Sequence, residues 1–196
     1  GNIGFHVIRI ARGFGMRVLA FDLRPGEFMA DVLGFSYVAF DRLLAESDIV
    51  TLHIPLNRNT YHLINRETIG KMKDGAILIN TARGAIVDTA ALIEALDRKK
   101  LGGAGLDVIE GEELIKEEEQ LFFDEDKVSM LADIARGHIL LRKDNVVYTP
   151  HIGFFSQEAL MKISQRTVEN IRSFIAGRPQ HDVTGIVESR RAAPVR

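Results

Sequence analysis

The sequence contains no cysteine and no long hydrophobic run. Without cysteine, disulfide bonds and thiolate metal sites are excluded. No apolar run approaches the roughly 20 residues that a membrane-spanning helix needs. The formal net charge is only −2, which gives no electrostatic argument for a nucleic-acid or anionic-membrane partner. No secretory signal leads the chain, so we expect a cytoplasmic protein.

Two kinds of catalytic site also lack their sequence signatures. No group of His, Asp and Glu residues shows metal-ligand spacing, so no metal is predicted. The G-x-S-x-G motif of many serine hydrolases is absent as well. The chain of 196 residues is 46% hydrophobic and 27% charged, which is ordinary for one or two globular domains.

Short apolar runs alternate with segments of helical periodicity. Strands are predicted at 17–21, 48–53, 76–80, 104–108 and 145–149, and helices at 3–14, 41–46, 65–73, 88–98 and 156–176. Asn65, Thr89 and Ser156 are predicted N-caps. The alternation predicts a parallel α/β sheet with right-handed crossovers. Because the strand segments are almost continuously apolar, we expect this sheet to be buried on both faces.

The opening residues, GNIGFHVIRIARGFGMRVLAFD, resemble the later part of a dinucleotide-binding fingerprint. Gly1 and Gly4 fit its second and third glycines, a helix follows at once, and Asp22 closes the next strand. Gly1 would let the backbone approach a pyrophosphate at the helix N-terminus. Asp22 would accept hydrogen bonds from the adenosine ribose and repel the 2′-phosphate of NADP, which favours NAD. The alternative interpretation is that no dinucleotide binds here, that the glycines only begin a helix, and that Asp22 only ends a strand.

Four further stretches place polar residues just beyond predicted strands: LHIPL at 52–56, INTARGAIVD at 79–88, GLDVIEGE at 105–112 and TPHIGFF at 149–155. Ligands of open parallel sheets bind outside the carboxyl ends of the strands. Hydride transfer to a 2-keto acid needs a guanidinium for the carboxylate, a histidine as proton donor and an acid to orient it. Arg83, His151 and Glu112 supply the guanidinium, the histidine and the acid. The alternative is that Arg83 is an ordinary surface residue, His151 a loop residue and Glu112 one more charge of an acidic run.

At these same residues the chain resembles the D-isomer-specific 2-hydroxyacid dehydrogenase family, over nearly its whole length. The resemblance implies catalytic roles for Arg83, Glu112 and His151. It implies NAD as cofactor. The residues that would contact NAD by this match are Gly1, Asn2, Ile3, Gly4, Asp22, Ile54, Pro55, Thr60, Thr81, Ala82, Arg83, Asp107, His151 and Gly153.

The resemblance also implies a fold and a domain division. The fold is an α/β Rossmann-type doubly wound parallel sheet whose first strand is missing. Residues 1–153 would form the NAD-binding domain, and residues 154–196 a helix and tail returning to an otherwise absent substrate domain. We therefore expect the helix after Ser156 to expose an apolar face, and the chain by itself to be inactive. A homodimer is the family expectation.

The substrate is less sharply indicated than the family. The stretches GFGMRVLAFD and ESDIVTLHIPL, and the acidic segment 110–127 with its LFF, resemble the lactate branch, which implies reduction of pyruvate. That segment is either a solvated excursion or a loop edging the cleft. Hydroxypyruvate and glyoxylate reductases and phosphoglycerate dehydrogenases share the catalytic residues. A non-catalytic NAD-binding sensor or corepressor, or a purely structural α/β domain, remains an alternative.

Overall fold

The computed structural model describes residues 1–111 and 135–180, which form parallel strands and connecting helices. The strands are β1 (Leu19–Ala20), β2 (Ser36–Tyr37), β3 (Ile49–Leu52), β4 (Ala76–Asn80), β5 (Leu101–Leu106) and β6 (Val146–Tyr148). The helices are α1 (Asn2–Gly13), α2 (Glu27–Leu33), α3 (Phe40–Glu46), α4 (Arg66–Lys71), α5 (Thr89–Asp97), α6 (135–141) and α7 (Gln157–Ile175). The predicted alternation of strands and helices is confirmed.

All strand pairs of the described residues are parallel, and they form two groups. One pairs β1 with β2, and the other has the order β3-β4-β5-β6. The doubly wound order is 3-2-1-4-5-6. The pair of β1 and β2 corresponds to strands 2 and 3 of that order. The group β3-β4-β5-β6 corresponds to strands 4, 5 and 6 with one more strand added. A strand between them would complete that order, and its existence stays a prediction.

The hydrophobic core lies on one face of the four-stranded sheet. The fully buried residues Leu44 of α3, Leu78 of β4 and Leu92 of α5 belong to one cluster. The opposite face differs from the prediction, because Ile49, Ile77 and Val147 are 43%, 40% and 72% exposed. Burial on both faces is therefore wrong for the described residues. Apolar strand composition predicted it, but composition does not say on which face the helices pack.

The helix ends confirm two of the three predicted caps. The Asn65 side chain accepts hydrogen bonds from the backbone of Glu67 and Thr68 in a capping box, and Ser156 caps α7 through Ala159. The prediction for Thr89 is wrong. Asp88 is the N-cap of α5, and its carboxylate accepts a hydrogen bond of 3.0 Å from the Ala91 amide. An aspartate one position earlier caps the same helix and leaves Thr89 as its first residue.

The short elements α2, β2 and α6 were not predicted. Gly26 precedes α2, and Gly34 ends it in the left-handed conformation with φ 67°. Seven helical residues followed by a two-residue strand are too short to produce a clear hydrophobic period.

The chain divides into two compact units, Gly1–His151 and Ile152–Arg196. In the second unit, α7 has no buried residue, and Met161, Ile171 and Phe174 are 56%, 55% and 74% exposed. The expected exposed apolar surface on this helix is therefore present. Among the described helices, none has both the length and the apolar character needed to cross a membrane.

Candidate functional site

The carboxyl ends of the four strands β3 to β6 lie in one row. Leu52 pairs with Asn80, Asn80 with Leu106, and Leu106 with Tyr148. Each of these residues is the last of its strand. The stretches that begin after them, at residues 53, 81, 107 and 149, therefore start at one edge of the sheet. The sequence prediction that distant polar segments share an edge is met for this part of the chain.

Asn80 organises the turn that carries Arg83. This asparagine is only 1% exposed. Its Nδ2 donates to the Arg83 carbonyl at 2.9 Å, and its Oδ1 accepts from the Ala82 amide at 3.0 Å. A buried carboxamide with both ends bonded to one turn fixes the backbone of that turn. The Arg83 side chain itself is exposed at the sheet edge.

Gly84 allows the Arg83 turn to touch the loop that follows β5. A Cβ atom on Gly84 would lie 2.1 Å from the Ile109 carbonyl oxygen and 2.5 Å from the Glu110 nitrogen. Both atoms belong to the backbone, so neither can move aside as a flexible side chain would. This close approach requires glycine at position 84, and it brings the segment after Asp107 against the segment of Arg83.

Asp107 and His151 are joined through the backbone. Asp107 is 6% exposed, and its amide donates to the Asn80 carbonyl at 2.9 Å. Its Oδ1 accepts a hydrogen bond of 2.5 Å from the Thr149 hydroxyl. The His151 amide donates to the Asp107 carbonyl at 2.8 Å. His151 has φ 53°, an uncommon conformation for a residue with a side chain, and such conformations concentrate at functional sites.

The predicted pyrophosphate position is the N-terminus of α1, a helix of 12 residues. Gly1 is its N-cap, no side chain caps it, and its first turn contains no acidic residue. The amide groups of this turn are thus suited to an anion, as a pyrophosphate requires. A Cβ on Gly4 would lie 3.8 Å from the His53 Cβ, which is ordinary contact. Gly4 therefore brings α1 near the loop after β3, although alanine would also fit.

Asp22 lies shortly after β1, where the carboxylate is exposed and Oδ1 accepts a hydrogen bond of 2.9 Å from the Arg24 amide. In the loop after β3, the Thr60 hydroxyl donates to the Pro55 carbonyl at 2.7 Å and accepts from the Asn57 amide at 2.8 Å. Ile54 is half-buried in the same loop. The donor, acceptor and apolar groups present fit a dinucleotide.

His53 lies between these regions at the end of β3. Burial of the imidazole lowers the pKa of His53. Its Nε2 lies 3.0 Å from the Thr51 hydroxyl oxygen. The lowered pKa favours the neutral form of this ring, which lies beside the first turn of α1.

For two predicted residues, Glu112 and Gly153, the relation to this row stays a prediction. Glu112 lies outside the described residues, as does the acidic segment after Gly111. Gly153 belongs to the second unit, so its predicted contact with the cofactor stays a prediction. Within the described ranges, no three His, Asp or Glu residues are placed to hold a metal ion.

Several site residues were missed from the sequence. Asn80 and Thr149 both come at the end of apolar runs, and a polar residue at a strand end would have been the signal for them. In the sequence, Glu110 is only the first residue of the acidic segment 110–127. It contacts His62 and Thr89, which lie 48 and 21 residues away in the chain, and no local pattern connects such residues.

Comparison with known proteins assigns the family. Residues 1–153 match the model of the NAD-binding domain of D-isomer specific 2-hydroxyacid dehydrogenases. The chain belongs to this family. The predictions of a Rossmann-type α/β fold and of NAD as the cofactor are thereby confirmed.

Individual relatives agree with the family match. A D-specific alpha-keto acid dehydrogenase of Enterococcus faecalis is 45% identical over 174 residues, covering 89% of this chain and 50% of that protein. The D-lactate dehydrogenase of Escherichia coli is 41% identical over 180 residues, covering 90% of this chain and 51% of that protein. Other relatives are named glycerate dehydrogenase and glyoxylate reductase.

A solved structure extends the likeness to three dimensions. The D-lactate dehydrogenase of Aquifex aeolicus, complexed with NAD and lactic acid, superposes with a TM-score of 0.78 at 40% identity. The match covers 91% of this chain and 52% of that one. The chain thus spans about half the length of the relatives it matches.

Proposed function

We propose that the whole protein containing this chain is an NAD-dependent D-2-hydroxyacid dehydrogenase that reduces pyruvate to D-lactate. The observation that carries the proposal is the single row of strand ends from which the segments of Arg83, Asp107 and His151 begin. A guanidinium for the keto-acid carboxylate and an imidazole as proton donor, in segments that begin at one sheet edge, match two of the needs of keto-acid reduction.

The cofactor would lie along this edge. The first turn of α1, at Gly1 to Gly4, would hold the pyrophosphate, and Asp22 would bind the adenosine ribose. Asp107, held by Thr149, would contact the nicotinamide half. The further residues proposed to line the site are Asn2, Ile3, Ile54, Pro55, Thr60, Thr81, Ala82 and Gly153. Bound NADH supplies the hydride.

The chain's own residues would bind the keto acid and supply the proton. Arg83 binds the carboxylate through its planar fork, which also orients the carbonyl. His151 donates a proton to the carbonyl oxygen as the alcohol forms. Glu112 pairs with the His151 imidazole, favours its protonated form and fixes its orientation.

The substrate proposal rests on the lactate-type relatives and on the sequence stretches that resemble that branch. Hydroxypyruvate and glyoxylate are the competing substrates, because relatives named for glycerate and glyoxylate also match. The chemistry assigned to Arg83, Glu112 and His151 is the same for all of them, so only rates can decide.

The test uses the full-length protein and follows NADH oxidation with pyruvate, hydroxypyruvate, glyoxylate and 2-ketoisocaproate. We expect pyruvate to give the highest kcat/KM. His151→Ala should lower turnover by roughly 100-fold or more, the usual scale for an acid–base group. The matched control is His138→Ala, because His138 is an exposed histidine on α6. NADH binding without turnover on any keto acid would refute the enzyme and favour a sensor.

We further propose a homodimer and a substrate domain that packs on α7. Exposed apolar residues on α1 and α2, including Ile3 and Phe28 at 66% and 77%, provide a surface for a second copy. Sedimentation of the full-length protein tests the dimer, and a monomer at micromolar concentration would contradict it. The cytoplasmic location remains a prediction from the sequence.

A further inference from the structure

The Glu110 carboxylate connects three separate loops of the candidate site. Its Oε1 lies 2.5 Å from His62 Nε2, in the loop after β3. Its Oε2 accepts a hydrogen bond of 3.2 Å from the Thr89 hydroxyl and one of 3.4 Å from the Thr89 amide, at the start of α5. Glu110 itself follows β5 and stands two residues before Glu112. We call His62, Thr89 and Glu110 the Glu110 clasp.

The clasp is largely withdrawn from solvent. The side chains of Glu110 and His62 are 17% and 30% exposed, and Thr89 is 6% exposed. A carboxylate in such a place needs hydrogen bonds on both oxygens, because desolvating it without partners is costly. The three donors meet that need from two different loops. Removing the charge of Glu110 therefore weakens the connection among all three segments.

The backbone of His62 is in the left-handed region, which a residue with a side chain keeps when its neighbours fix it. It has φ 47°, and its ring stacks on Tyr61 with centroids 4.0 Å apart. Its amide donates to the Ala85 carbonyl at 2.9 Å, and its carbonyl accepts from the Asn65 side chain at 3.0 Å. A non-glycine residue in the left-handed region persists when its neighbours fix it. His62 is thus a rigid donor for Glu110.

Two of the three loops are already joined by their backbones. Ile64 and Val87 form a parallel bridge, flanked by hydrogen bonds from Ile64 to Ile86 and from Asp88 to Ile64. The loop after β5 contacts this pair through the close approach at Gly84 and through the Glu110 side chain. The carboxylate thereby holds the 107–111 loop against the loop after β3 and the start of α5.

We propose that the Glu110 clasp is a positioning device for the reaction, which sets the 107–111 loop, and with it Asp107, relative to the Arg83 turn. The inference rests on the proposed function, because it takes His151 as the proton donor, and the His151 amide is hydrogen-bonded to the Asp107 carbonyl of this loop. Arg83 is positioned separately by Asn80, so substrate binding and proton donation depend on different supports. Loss of the clasp should reduce kcat while leaving the KM for the keto acid nearly unchanged.

The test compares Glu110→Gln with Glu94→Gln in the full-length protein. Glu94 is a matched control, because its two oxygens also bind partners, Arg66 and Arg98, and its side chain is 25% exposed. It lies on α5 with both partners on helical surfaces rather than in the site loops. We measure kcat, KM for pyruvate and Kd for NADH. Glu110→Gln should lower kcat about 10-fold or more, the scale of a small misplacement.

The NADH Kd, the KM for pyruvate and the control variant decide whether the loss of kcat comes from the clasp. The NADH Kd and the KM for pyruvate should change by less than about threefold in Glu110→Gln, since Asp22, α1 and Arg83 are held by other contacts. Glu94→Gln should stay within about twofold of the wild type in all three quantities. A kcat of Glu110→Gln equal to that of the control would overturn the inference. So would a rise in the KM for pyruvate and in the Kd for NADH by the same factor as the fall in kcat.

A second pair of variants separates loss of the clasp from a general folding defect. Thr89→Val removes the hydroxyl donor at nearly the same volume, and Thr89→Ser restores a hydroxyl. We expect a loss of kcat in the valine variant and recovery of most of it in the serine variant. Equal activity of the two would contradict the clasp. If the wild-type protein turns over no keto acid, the proposed function fails. Wild-type turnover with an unaffected Glu110→Gln variant refutes the clasp alone.

Discussion

Replacing Gly84 with alanine should damage the site through one steric conflict. The added Cβ would lie 2.1 Å from the Ile109 oxygen and 2.5 Å from the Glu110 nitrogen, far inside ordinary contact. Because both atoms are backbone, relief requires the Arg83 turn or the 107–111 loop to move. Overpacking of this kind costs about 1–3 kcal/mol or more. We expect the upper end of that range, since no side chain can rotate away.

The assay is thermal unfolding of the full-length protein together with the KM for pyruvate. For a domain of roughly 150–250 residues, each kcal/mol shifts Tm by about 2–4 °C. Gly84→Ala should therefore lower Tm by about 5 °C or more. The KM should rise, because the displaced turn carries Arg83.

A matched control separates this conflict from the general effect of glycine substitution. Gly70 lies within α4, and a Cβ there would meet no heavy atom within 4 Å. Gly70→Ala should stabilise the protein by about 0.5–1 kcal/mol through helix propensity. If Gly84→Ala and Gly70→Ala changed Tm alike, the close approach at Ile109 would not exist in the folded protein.

Three further changes probe other parts of the account. Asn80→Ala should lower the free energy of unfolding by about 1–3 kcal/mol in urea titrations, because it leaves the part-buried Ala82 amide and Arg83 carbonyl without their hydrogen-bond partner; a change below about 0.5 kcal/mol would contradict this. Asp22→Ala should improve NADPH binding relative to NADH in a fluorescence titration, since it removes a repelling carboxylate, and an unchanged ratio would argue against its ribose role. Burial lowers the pKa of His53 in the folded state, so stability is lost as pH falls below its ordinary value of 6.5. His53→Asn should reduce the fall in Tm between pH 7.5 and 5.5, and an equal fall in both proteins would refute that cause.

The parallel sheet and most of its helices were predictable because they depend on local periodicity. The run AILIN coincides with β4, and the capping sequence at Asn65 marks the start of α4. It was also predictable that the segments of Arg83, Asp107 and His151 begin at one sheet edge, since parallel strands bring their carboxyl ends together. These predictions used only the order of elements along the chain and the general topology of such sheets.

Features that depend on distant contacts could not be predicted. Nothing near Glu110 in the sequence indicates that it binds His62, and the need for glycine at position 84 arises from a loop 25 residues later. The open face of the sheet was mispredicted for a similar reason, because strand composition does not reveal which helices cover which side. Tertiary packing decides these points, and one sequence contains no direct record of it.

The most direct measurement is the configuration of the product that full-length protein forms from pyruvate and NADH. Chiral chromatography separates the two lactate enantiomers and quantifies each one against NADH consumed. The account predicts D-lactate in a one-to-one ratio with oxidised NADH, and loss of that product in Arg83→Ala and His151→Ala. Formation of L-lactate, or NADH binding with no lactate at all, would contradict it.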